Sequence, residues 1–273
     1  MTEPTTQPAP HDRRKYRIGT SGYSFLDWVG PFYPPGTKRS EMFGSYVQAF
    51  QTVELNFSFY RMPSPKTLER MARMSPPGFD FWVKANQQIT HEGRPETAGE
   101  FLQRIGPIVS AGKLAGVLLQ FPQSFHRTVA NRRYLADVLE HMAKVPLAVE
   151  FRHFTWDHRS TYSGLGDRGV SLVIPDVPQI ASLHRPRAMA TAPVGYLRLH
   201  SRNADLWYAG AVERYDYDYS RSELEQLLEE WSQVEQESDR IYTFFNNCHR
   251  GQAAENARQF ERILEKIQEQ DLA

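Results

Sequence analysis

The sequence predicts one α/β domain, a parallel TIM (β/α)8 barrel, and three observations carry that prediction. Eight short apolar runs recur along the 273 residues, most of them end in polar residues, and one-sided helical patterns separate many of them. A barrel of this class commonly uses about 250 residues, so the length suits one such domain better than two ordinary ones.

The runs are YRIGTS (16–21), TVELNFSF (52–59), FDFWVKA (79–85), GVLLQFP (116–122), LAVEFRH (147–153), SLVIPD (171–176), GYLRLHS (195–201) and IYTFFNN (241–247). Several are nearly continuous in apolar residues, as strands covered on both faces require. Helical periodicity follows many of them. Phe43, Tyr46, Val47 and Phe50 fall at i, i+3, i+4 and i+7. Ser64 followed by Pro65 is an N-cap and first-turn pair ahead of Leu68, Met71 and Ala72. Tyr134, Leu135, Val138, Leu139 and Met142 form a further stripe that Pro146 ends. Ser220 and Glu223 match a capping box before Leu224, Leu227, Leu228 and Trp231, and Ala253 to Ile267 is again helical in pattern. Two connections are weaker: Gly106-Pro107 interrupts a helix, and 177–194 has little helical character.

Residues 15–273 are therefore read as a single barrel domain. Residues 1–14 (MTEPTTQPAPHDRR) are read as a disordered tail, since they lack the apolar centre of a signal peptide. The 32 basic and 32 acidic side chains balance, which argues against strong non-specific nucleic-acid binding and leaves room for a local basic groove. No apolar run approaches the roughly 18 to 20 residues that span a bilayer, so no membrane partner is expected. The one cysteine, Cys248, has no partner for an internal disulfide. The expected location is the cytoplasm.

Side chains two apart on a strand share a face, and this parity gathers polar residues. Strand 2 aligns Glu54, Asn56 and Ser58; strand 3 aligns Trp82, Lys84 and Asn86; strand 4 carries Gln120. Strand 5 pairs Glu150 with Arg152, strand 6 ends at Asp176, strand 7 aligns Arg198, His200 and Arg202, and strand 8 finishes at Asn246. The Asn246-Asn247 pair after it suggests ligand contact, or a cap on the following turn. In a barrel such residues converge on a cavity at the C-terminal ends of the strands, where barrel active sites lie. Any one of them, such as Glu150 beside an arginine, is equally readable as a structural ion pair. The whole set is costly to bury without use. The loops beyond the strands are rich in aromatic residues, and WYAGAVERYDYDYS (207–220) is too polar to be core alone. Trp207 and Tyr215 are suited to stacking on a sugar ring or nucleobase.

Many of these segments also carry a family resemblance. IGTSGYSFLDWVGPFYP (18–34), VELNFSFYRMPS (53–64), FWVKANQQITH (81–91), LLQFPQSF (118–125), AVEFRHFTW (148–156), YLRLHSR (196–202), RYDYDYS (214–220) and FFNNCHRGQAAENA (244–257) resemble the YecE-like family, the "domain of unknown function" family numbered seventy-two. The resemblance runs from about residue 17 to 267 and implies a TIM-barrel fold with no established activity. Tyr23 stands where such proteins often have Trp, and Ser201 where Gly is frequent.

The chemistry expected is that of a hydrolase, lyase or isomerase acting on an anionic, sugar-containing or nucleotide-like small molecule. Arg152, Arg198 and Lys84 bind the anion in this reading; Glu54 or Glu150 is the general base and His200 the proton shuttle. Asn56, Gln120, Asp176, Asn246 and Asn247 complete the substrate contacts, and the helix after Gly251 offers N-terminal amides to an anion. Lys84 reads as a salt-bridged cation between Glu54 and Glu150, with a Schiff-base lysine as the other option. No cofactor is expected. The alternative is a divalent metal held by Glu54, Glu150, Asp176 and His200, in a cavity that Lys84, Arg152 and Arg198 crowd with positive charge. The competing class is a non-catalytic nucleic-acid or nucleotide-binding protein using the same arginines and aromatic loops.

Overall fold

The computed structural model describes residues 15–271, so the 1–14 tail lies outside the described residues. All eight expected strands are present: β1 (Tyr16–Thr20), β2 (Thr52–Leu55), β3 (Asp80–Lys84), β4 (Leu114–Gln120), β5 (Leu147–Glu150), β6 (Ser171–Asp176), β7 (Val194–Leu199) and β8 (Arg240–Phe245). They pair in parallel in the order β1-β8-β7-β6-β5-β4-β3-β2. A single bridge, Ser21 to Glu54, joins the two ends of that order and nearly closes the barrel.

The closing seam depends on side-chain chemistry as well as on ladder bonds. The Tyr46 hydroxyl accepts from the Thr20 amide at 2.9 Å and donates to the Thr52 carbonyl at 3.1 Å. It stands in for a missing backbone bond between β1 and β2. Gly19 lies in the same seam, and a Cβ there would run into the Thr52 carbonyl oxygen. The sequence periodicity identified Tyr46 as a core position; its hydroxyl is what the seam uses.

The strand count gives two apolar layers. Odd positions of β2 and β3 (Val53, Leu55, Phe81, Val83) face outward into the main core between sheet and helices. Inside the barrel, Trp82, Leu118, Ala148, Val173, Tyr196, Tyr242 and Phe244 form a separate plug. Gly116 leaves room for the Trp82 ring, which a Cβ would strike.

The helices are α1 (Arg39–Ala49), α2 (Phe57–Tyr60), α3 (Pro65–Met74), α4 (Gln87–Thr90), α5 (Ala98–Arg104), α6 (Gly106–Ser110), α7 (Val129–His141), α8 (Arg159–Gly166), α9 (Ala211–Arg214), α10 (Arg221–Glu230), α11 (Ser232–Glu237) and α12 (Gln252–Asp271). Ser220 and Glu223 cap α10 reciprocally, as their spacing predicts. Ser64 precedes α3 but its side chain makes no cap bond, so Pro65 is the effective start signal there. Gly106-Pro107 divides α5 from α6, and the β6–β7 connection has no helix. Among the described residues, no helix is long and apolar enough to cross a membrane.

Candidate active site at the C-terminal mouth

Above the aromatic plug, β7 turns Arg198 and His200 inward, as alternation from Tyr196 requires. Arg198 is 1% exposed. Its Nη1 donates to Glu150 Oε2 at 2.5 Å, and its Nη2 donates to Glu54 Oε1 at 2.7 Å and to Ser21 Oγ at 3.5 Å. One guanidinium thus ties residues from four quarters of the barrel. Glu54 also accepts from the Tyr196 hydroxyl at 2.6 Å and from Asn56 Nδ2 at 3.0 Å. Both carboxylates are fully buried, which is tolerable only because each is met by a cation and further donors.

Glu150 has a second cation. Arg152 Nε lies 2.5 Å from Glu150 Oε1, a charge contact set off the hydrogen-bonding direction. Burial alone would raise the Glu150 carboxyl, but Arg152 and Arg198 overcome it and hold the group well below the usual carboxylate range. His200 Nδ1 lies 2.8 Å from Asn246 Nδ2, and its Nε2 lies 3.3 Å from Glu150 Oε1 and 3.4 Å from Arg152 Nη2. Burial, then the charge of Arg152, push His200 down to about 3. It is a neutral imidazole near neutral pH.

Lys84 differs from the salt-bridged cation the sequence suggested. Its ammonium donates to Gln120 Oε1 at 2.8 Å and sits 4.2 Å above the Phe59 ring. Gln120 is itself oriented by donating Nε2 to the Phe121 carbonyl at 2.8 Å. Burial, then the positive charge of Arg198, push Lys84 down to about 7, with Glu54 and Glu150 acting in the opposite sense. Lys84 retains partial exposure at the mouth, as does Arg152.

The rim comes from the loops after β7 and β3. Arg152 and Arg214 each face the buried Trp207 ring, at 5.8 and 5.3 Å from its centroid. Tyr215 lies 6.0 Å from the His200 ring. On the opposite side, His91 packs against Phe59 at 4.8 Å, and burial together with Lys84 and Arg152 push it down to about 4.

Glu54, Asn56, Lys84, Gln120, Glu150, Arg152, Arg198, His200 and Asn246 are therefore one constellation, with Trp207 and Tyr215 at its edge. Asp176 is not part of it. On β6 the interior position is Val173, while Asp176 shares parity with Leu172 and Ile174 of the outer core. Its carboxylate accepts from Tyr219 at 2.6 Å and Arg202 at 3.1 Å, behind the barrel wall. Asn247 likewise faces outward and donates to Tyr217 O and Asn256 Oδ1, tying a loop to α12. Ser58 and Asn86 lie past the ends of their strands and bond backbone: Ser58 Oγ donates to Lys84 O at 2.6 Å, and Asn86 caps α4. The turn before α12 is also occupied, because Asp27 accepts the Arg250 amide at 2.7 Å.

The four-ligand metal set is consequently not assembled. Arg198 stands between Glu54 and Glu150, and among the described residues no three His, Cys, Asp or Glu side chains form a metal-holding group. Sequence reasoning missed Tyr196 and Ser21. Tyr196 was legible, since it stands two residues before Arg198 on a strand; Ser21 was hidden beyond the end of β1.

The chain matches the model of the family described as "Protein of unknown function DUF72" over residues 17–272. It is 29% identical to the UPF0759 protein YunF of Bacillus subtilis over 91% of this chain and 94% of that protein. A DUF72 family crystal structure from Thermotoga maritima superposes with a TM-score of 0.85 at 39% identity, covering 92% of this chain and 99% of the other. One from Enterococcus faecalis gives 0.82 at 27% identity, covering 92% and 95%. With the YecE-like motifs found in order and the barrel formed, the chain belongs to the DUF72 family of proteins of unknown function.

Proposed function

We propose that the chain is an enzyme of hydrolase, lyase or isomerase type, acting on an anionic, sugar-containing or nucleotide-like substrate at the C-terminal mouth of the barrel. The observation that carries this reading is an unmatched cation. Glu54 and Glu150 are balanced by Arg152 and Arg198, so Lys84, when protonated, leaves the buried cluster with one positive charge in excess. A structural network would be expected to close that balance internally, whereas an anionic ligand completes it.

The roles follow from exposure and protonation. Both terminal nitrogens of Arg198 are spent on carboxylates, which leaves it to fix the site rather than to grip an anion. Arg152 and Lys84 are the partly exposed cations, and Tyr215 offers a ring face for a sugar or base. Trp207, expected to stack on substrate, is buried against Val177 and Leu183 and instead backs the arginines. With Glu150 held ionised and His200 neutral, Lys84 is the group that changes protonation near neutral pH. The lone Cys248, whose thiol burial pushes up, fits a reducing compartment, and we take the cytoplasm as its location.

The test is calorimetric titration of inorganic phosphate, glucose 6-phosphate and a short single-stranded oligonucleotide, with circular dichroism as the folding control. The sugar phosphate is expected to bind, and Arg152→Gln to weaken it by on the order of tenfold, the worth of one charge-assisted contact. Binding of the oligonucleotide alone, with steep salt dependence, would favour the non-catalytic class. Unchanged affinity in Arg152→Gln would remove the proposed anion site.

A further inference from the structure

We propose that Lys84 is a covalent catalyst: its Nζ condenses with a carbonyl carbon of the anionic substrate to give an iminium. This inference rests on the anion-site reading of the mouth and narrows it, because it selects carbonyl-bearing substrates and lyase or isomerase chemistry over hydrolysis.

Three geometric observations support it. First, among the described residues no carboxylate forms an ion pair with Lys84 at contact distance. Its one hydrogen-bond acceptor among the described residues is the neutral amide oxygen of Gln120, although two carboxylates lie in the same cluster. Arg198 has claimed both of them. By contrast the Lys113 ammonium is ringed by four oxygens, Ala72 O, Ser75 O, Ser75 Oγ and Pro76 O. Second, Lys84 ends β3 at the mouth and keeps partial exposure, so a substrate carbon can reach Nζ by displacing a single amide contact. Third, the Phe59 ring lies 4.2 Å below the nitrogen, where its face stabilises whichever cation occupies the position. An iminium is a cation of the same sign at the same place.

The electrostatics agree with this geometry. The groups facing Lys84 are Glu54 from β2, Glu150 at the end of β5, Arg152 just past it, Arg198 from β7, and His91, which packs on the same Phe59 ring. The balance with burial brings the amine to about 7. Roughly half of it is then neutral and nucleophilic at neutral pH. In the step itself the amine lone pair forms the C–N bond while the carbonyl π pair moves to oxygen. That oxygen takes up protons and leaves as water as the C=N bond forms. One water is released, one proton is consumed, and no oxidant or reductant is required. The iminium then draws electrons from a neighbouring C–C or C–H bond, and hydrolysis returns the free lysine.

The experiment uses the full chain incubated at pH 7 with pyruvate or glycolaldehyde phosphate and sodium cyanoborohydride, followed by intact mass and peptide mapping. Exposed Lys38, Lys66 and Lys144 serve as internal references. The expected result is one stable adduct on Lys84, formed on the order of tenfold faster than on the references, since far more of its amine is neutral at pH 7. Lys84→Arg should lose that adduct while retaining the circular dichroism of the parent. Adducts spread over the reference lysines, with Lys84 no faster, would overturn the covalent proposal. Phosphate calorimetry on the same samples separates the two readings. Arg152-dependent phosphate binding without trapping at Lys84 removes the covalent step and keeps the anion site; loss of both removes both.

Discussion

At the N-terminal end of the barrel, Asp80 is the interior carboxylate. It accepts from the Tyr242 hydroxyl at 2.8 Å, and the nearest guanidinium, Arg17, stands at 4.0 Å. At the C-terminal end, Glu54 and Glu150 share Arg198 at 2.7 and 2.5 Å, and Glu150 adds Arg152. The aromatic plug separates the two ends. Burial decides the first case, raising Asp80 above the usual carboxylate range despite its donors and cations. Charge decides the second, holding Glu150 well below it. One end thus handles a buried acid by easing its protonation, the other by surrounding it with cations until one cation is left over. Only the second arrangement has a charge to offer a ligand.

The largest effect should come from removing the shared cation. Arg198→Met leaves two fully buried carboxylates without their common partner and is expected to cost about 3–5 kcal/mol in urea unfolding. Arg198→Lys should recover part of that loss, because one ammonium cannot reach both carboxylates in the same geometry. A cost below about 1 kcal/mol for Arg198→Met would mean that the C-terminal cluster is not held by charge.

The two ends should also answer acid with opposite signs. Glu150 has a depressed folded pKa, so its stabilisation is present above the unfolded value of about 4.3 and is lost as pH falls further. Asp80 has a raised folded pKa, so the native state takes up the proton first and gains stability as pH falls towards about 3.9. Asp80→Asn is expected to stabilise by about 1 kcal/mol at pH 7, an advantage that shrinks on acidification as the wild-type carboxyl protonates. Glu150→Gln should lack the wild-type loss of stability below about pH 4.3. Parallel pH profiles of unfolding free energy for the two variants would erase the contrast.

The last test concerns Lys84. Lys84→Met is expected to stabilise the protein at pH 7, since the native state disfavours the ammonium that the unfolded chain holds freely. The pH dependence is more telling. Between about 7 and 10.5 the unfolded lysine holds a proton that the native one has released, so wild-type stability rises with pH there. Thermal unfolding at pH 7 and pH 9 should show that rise, reduced in Lys84→Met.

Much of this molecule was legible without coordinates, for local reasons. Apolar runs of strand length, the capping box at Ser220 and Glu223, and the stripe around Tyr46 are set by neighbours a few residues apart. Period-two alternation likewise gave the inward faces of Glu54, Lys84, Glu150, Arg198 and His200. It failed at Asp176 because both faces of SLVIPD are apolar, leaving no pattern to choose between them. It failed at Ser58 and Asn86 because their strands had already ended and the backbone had turned.

What the sequence by itself determined, then, is the barrel and most of the side chains that enter its mouth, Asp176 and Asn247 being counted in wrongly and Tyr196 and Ser21 left out. Which of those side chains neutralise one another was decided only in three dimensions. Arg198 meets Glu150 across 48 residues and Glu54 across 144, and no local pattern ranks those partners above Lys84. Pair energies in a buried site depend on distances of a few ångströms between strands from different quarters of the barrel. That geometry gave Arg198 the carboxylates and left Lys84 with an amide.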